Sequence, residues 1–113
     1  MTPSDILTEI RDAISDTASV RWTDALLRAF MFSAELEIVG RHPESQYIVR
    51  VANPAPALLT DNDQSFTLTD DCRQAMIHYV AYLALSGDSD DANNLNLAVV
   101  HKKQFLDSLG DRQ

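Results

Sequence analysis

Cysteine occurs once in the 113 residues, at Cys72, so no intrachain disulfide can form and a reducing cytoplasm is the expected setting. Positive charge is scarce. Nine Lys and Arg stand against 17 Asp and Glu, a formal net charge of −8. That balance argues against a surface that wraps nucleic-acid phosphates, which needs clustered basic residues. Long hydrophobic runs are missing too: the longest, around Ala75 to Leu85, is interrupted by His78 and is too short to span a bilayer. No signal peptide is expected, because Met1-Thr2-Pro3-Ser4-Asp5 leads into a charged amphipathic segment. Neither a phosphate-binding glycine loop nor a nucleophile elbow is present.

Residues suited to metal or acid–base chemistry are spread thinly. His42, His78 and His101 fall in three different elements, and none has the i, i+4 partner of a helical metal site. Asp61-x-Asp63-x-Ser65 imitates the opening of a calcium loop, but Phe66 stands where glycine must turn and Cys72 replaces the bidentate glutamate. Asp88-x-Asp90 fails in the same way. Cys72 lies in the first turn of a helix, where the thiol pKa would fall, but Asp70 and Asp71 beside it oppose that. These features predict no catalytic residue, no metal and no cofactor.

Helical periodicity accounts for most of what is present. A short amphipathic helix is expected over 3–16, with Pro3 at its first position and Ile6, Ile10, Ala13 and Ile14 on one face. Asp5, Glu9, Arg11, Asp12 and Asp16 take the other face. A second helix over 23–40 starts at Trp22-Thr23-Asp24, where Thr23 caps and Trp22 staples back onto Leu27. Gly40 and Pro43 end it. Between His42 and Thr69 the period vanishes; Tyr47 to Val51 and Phe66 to Leu68 could pair as a short ribbon. A third helix over 69–86 opens with Thr69-Asp70-Asp71 and stops at Gly87, and a fourth over 89–109 follows at once. So short a link makes the last two helices an antiparallel hairpin. In the fourth helix Leu95, Ala98, Phe105 and Leu109 form an inner stripe, with the stem of Lys102 lying along it. The expected fold is a single all-α domain of four helices with a short extended segment.

Two segments resemble a known family. Arg21-Trp22-Thr23-Asp24-Ala25-Leu26-Leu27, continuing through Ala34-Glu35-Leu36-Glu37-Ile38-Val39 to His42-Pro43, resembles the opening of tailed-phage head-to-tail adaptor (connector) proteins. Phe66 to Asp71, then Ala75, Tyr79, Val80, Tyr82 and Ala84, then Gly87 to Asn94 and Ala98 to Phe105, looks like their C-terminal hairpin. The resemblance covers about two thirds of the chain; the middle, Gln46 to Leu68, is shorter than the β-rich insert of many such proteins. It implies a non-enzymatic virion protein, made in the host cytoplasm. Such a protein sits in the neck as a homo-oligomeric ring of about twelve copies. Its partners would be the portal protein and the downstream neck or tail proteins, with DNA only as transiting cargo and no membrane.

The second helix is where an interface is expected. It carries two apolar stripes, and a surface helix of a small domain needs only one. Leu27, Met31, Ala34 and Ile38 are assigned to the subunit or portal interface, because Met31 is adaptable and Arg28 and Glu35 could rim them. Ala25, Ala29, Phe32, Leu36 and Val39 are assigned to the intrachain contact. One rival is a small cytosolic regulatory or antitoxin-like module that binds another protein. A second is a metal-dependent hydrolase using Asp88, Asp90 and Asp91 with Glu35 or Glu37, although the two glutamates lack the Glu-x-x-Glu spacing that aligns ligands on one helical face.

Overall fold

In the computed structural model of the chain, described over residues 2–14, 22–41, 59, 66, 68, 70–87 and 92–109, one helix touches all the others. Four helices make an all-α fold: α1 (Pro3–Ala13), α2 (Asp24–Arg41), α3 (Arg73–Ser86) and α4 (Ala92–Leu109). A 3-10 turn, Asp70–Cys72, leads into α3. The hub is α3, whose Ala75, Met76, Ile77, Val80, Ala81, Ala84 and Leu85 are buried around most of its circumference. It packs along the length of α4 and also against α2 and α1.

Local chemistry sets the helix starts. Asp5 accepts the backbone N–H of Thr2 at 2.9 Å, satisfying a donor that the helix start leaves open. That hydrogen bond, helped by the charge of Arg73, holds the exposed Asp5 carboxyl below its ordinary pKa. Thr23 caps α2 as expected, its hydroxyl accepting the N–H of Leu26 at 3.1 Å. The expected stop at Gly40 is not used: α2 runs on to Arg41, which closes an i, i+4 ion pair to Glu37 at 2.7 Å. Gly87 does cap α3, but at φ −77°, so it uses no left-handed backbone.

Two arginines fasten α1. The sequence pattern put Arg11 on the polar face, yet it is buried, donating to the Trp22 carbonyl at 2.9 Å and pairing with Asp24. The start of α2 is thereby tied to the end of α1. Arg73 at the head of α3 donates to the Asp5 carbonyl at 2.8 Å and pairs with Glu9. For Arg11, which is buried, these partners offset the cost of taking a guanidinium out of water; Arg73 remains partly exposed.

The core collects Ile6, Ile10, Ile14 and Trp22 with the inner faces of α2, α3 and α4, and Leu59, Phe66 and Leu68 join it from the middle of the chain. Those three are all that is described of 42–69; of the expected ribbon, Phe66 and Leu68 are placed, Leu68 in a β-bridge, and Tyr47 to Val51 lies outside the described residues. Phe105 of α4 is fully enclosed and meets the Tyr79 ring at a centroid distance of 4.7 Å.

Candidate interaction surface

The packing of α2 decides which of its two stripes remains open. Leu27, Met31, Ala34 and Ile38 are completely buried within the chain's own core, with Glu35 buried among them. The interface assignment made from the sequence is therefore reversed. Those four residues face α3 and the rest of the core and have no surface to offer. Ala25, Leu26, Ala29 and Leu36 lie on the open side, while Phe32 and Val39 are half-buried along its edge. Glu35 and Arg28 do not rim the open stripe in the manner expected, because Glu35 points inward.

Helix α4 is more exposed still. Over 94–109, where its burial is described, only Ala98 and Phe105 are buried. Leu95 is 38 % exposed, Leu97 47 %, Val100 49 % and Val99 69 %. Four of the six large apolar side chains that the described residues expose thus crowd into two turns of one helix; the other two are Leu26 and Leu36 on α2. Scattered exposed leucines are ordinary. A run of them is not, and β-branched valine at an open helical position costs helix propensity without the burial that usually compensates it. Lys102 and Lys103 follow the run, with Lys102 extended over the Tyr82 ring at 5.3 Å, so its stem does lie along the helix surface as expected.

A second feature lies on the hairpin and was missed in the sequence. His78 of α3 and His101 of α4 meet across the helix pair, Nδ1 to Nδ1 at 3.1 Å, with ring centroids 5.3 Å apart. Both are half-buried. Burial pushes the pKa of each below its ordinary value, and for His101 the charge of His78 adds to the effect. The signal was available: an antiparallel hairpin closed just after residue 86 brings position 78 opposite the turn that holds 101. Spacing rules for metal sites look along one helix, and this pair runs between two.

No group of three or more His, Cys, Asp or Glu that could hold a metal occurs among the described residues. Asp61, Asp63, Asp88, Asp90, Asp91 and His42 lie outside the described residues. Glu37, invoked for a hydrolase, is paired to Arg41. Cys72 is buried at the head of α3 and is in no disulfide. No described helix is long and apolar enough to cross a membrane. Compared with protein-family models, curated proteins and solved structures, the chain matches none of them.

Proposed function

We propose that the chain is a head-to-tail adaptor subunit of a tailed-phage neck, assembling as a ring beneath the portal and extending the DNA channel toward the tail. The observation that carries this is the apolar run Leu95, Leu97, Val99 and Val100, left open on α4 after the core has closed. A ring is built from two different patches, one on each side of a subunit, that meet head to tail. On α4, Leu95 and Val99, one turn apart, form one such patch, with Leu97 and Val100 together on the adjoining side, and the open α2 stripe of Ala25, Leu26, Ala29 and Leu36 is a second and different one. The motif resemblance at both ends of the chain supplies the portal as partner. A net charge of −8 suits a channel through which DNA must pass without sticking, since like charges repel.

Native mass measurement of the purified chain, alone and with its cognate portal, tests the proposal. A closed ring of many copies, formed alone or only on the portal, is the expected result. A monomer at every concentration that ignores the portal would overturn it, as would a discrete one-to-one complex with a cytosolic protein.

A further inference from the structure

We propose that His78 and His101 form a two-imidazole site on the α3–α4 hairpin for a divalent transition ion of the zinc, copper or nickel type. This is independent of the adaptor function. The geometry carries it. Two metal–nitrogen bonds of about 2.0–2.1 Å span a nitrogen–nitrogen chord of about 2.9 Å at a right angle and about 3.4 Å at the tetrahedral angle. The observed separation of 3.1 Å falls between these, and it joins the same ring atom, Nδ1, from two different helices. Without an ion, one Nδ1–H must donate to the other nitrogen for the contact to be favourable. When an ion binds, that proton moves to Nε2 of the same ring, leaving both Nδ1 lone pairs to coordinate.

The surroundings favour a borderline ion over a hard one. Imidazole nitrogen suits zinc, copper and nickel, whereas magnesium and calcium seek carboxylate and carbonyl oxygen. With no third protein ligand among the described residues, and with both rings half-exposed, water completes the coordination. The site is open, so its ion exchanges with solvent. It also bridges the two helices that pack most extensively on one another, and binding there fastens the hairpin.

The experiment uses tag-free full-length protein stripped with a chelator and returned to chelator-free buffer. Zinc, nickel or copper chloride should raise the melting temperature by several degrees, while magnesium should leave it unchanged. The rise should vanish in H78Q and in H101Q and persist in H42Q. Pulsed electron paramagnetic resonance of the copper-loaded native chain should count two coordinated imidazoles. That readout holds even if a histidine variant fails to fold. The proposal is overturned if none of the three ions shifts melting, if the shift persists in the H78Q/H101Q double variant, or if copper shows fewer than two imidazoles.

Discussion

Helices α3 and α4 are neighbours along their whole length, and both read as apolar in the sequence, yet they end in opposite situations. Half of α3 is buried, because α1, α2 and α4 surround it. On α4, over the described positions 94–109, only Ala98 and Phe105 are enclosed, and its largest contact is with α3. The apolar content of a helix therefore does not say whether its own chain will cover it. Position in the fold does. The apolar side chains of α3 are covered by its own chain, whereas α4 keeps Leu95, Leu97, Val99 and Val100 open.

A charge placed on each helix draws the contrast most sharply. Val80→Asp on α3 puts a carboxylate into a fully buried position, costing several kcal/mol, and should unfold the chain. Val99→Asp on α4 should leave a folded, helical protein that no longer forms rings or binds the portal. Circular dichroism with light scattering reads both, and an unfolded Val99→Asp variant would erase the distinction between the helices. Met31→Asp belongs with Val80→Asp, since Met31 lies in the core. Next in size are truncations at the α4 contact itself. Phe105→Ala should lose about 3–5 kcal/mol, because a fully enclosed ring against Tyr79 leaves a cavity behind. Leu97→Ala, at an open position, should change thermal or urea stability by no more than about 0.5 kcal/mol.

These expectations also mark where sequence reasoning succeeded. The four helices, the Thr23 cap, the closing hairpin and the burial of Trp22, now 7 % exposed, were all legible, because caps and periodicity act over a few residues. The orientation of α2 was not. Its two stripes are similarly apolar, so the choice between Met31 and Leu36 depends on where α3 lies, which no local pattern encodes. Arg11 was misplaced for a related reason: periodicity assigns a guanidinium outward, but a carbonyl on Trp22 and a carboxylate on Asp24 received it inside. The histidine pair required combining the hairpin register with residue chemistry, and each was considered alone.

A smaller effect tests how firmly α4 is held on α3. Both histidines have folded-state pKa values below the ordinary imidazole value near 6.5, chiefly through burial. The unfolded chain then binds protons more readily than the folded one, so stability is complete above about pH 6.5. It falls as the pH drops from there toward the lowered folded pKa values. Around the pair, Lys102 is the adjoining charge, lying over Tyr82, while Gln74 and Gln104, one turn away on either helix, are neutral. No carboxylate contributes to either shift. Melting measured with a chelator present should therefore drop between pH 7 and pH 5.5 more in the native chain than in His101→Gln. Equal slopes would show that the pair does not sense the proton.

A last effect, of opposite sign, probes the open side of α2, the counterpart of the α4 run. Gly40 sits inside the last turn of that helix, exposed, and a methyl group added there would meet nothing within 4 Å. Glycine in a helix gives up more backbone freedom on folding than alanine does, and here no close approach or left-handed backbone requires it. Gly40→Ala should therefore raise stability by about 0.5–1 kcal/mol, seen as a shift in the urea midpoint without a change in slope. The same methyl group lies along the side of α2 that carries Ala29 and Leu36, so it also tests whether a second copy packs close to that face. A monomer made more stable whose ring is weakened would place the neighbour's backbone directly against Gly40. Equal stabilisation of monomer and ring would put the contact further toward the start of the helix, around Ala25 and Leu26.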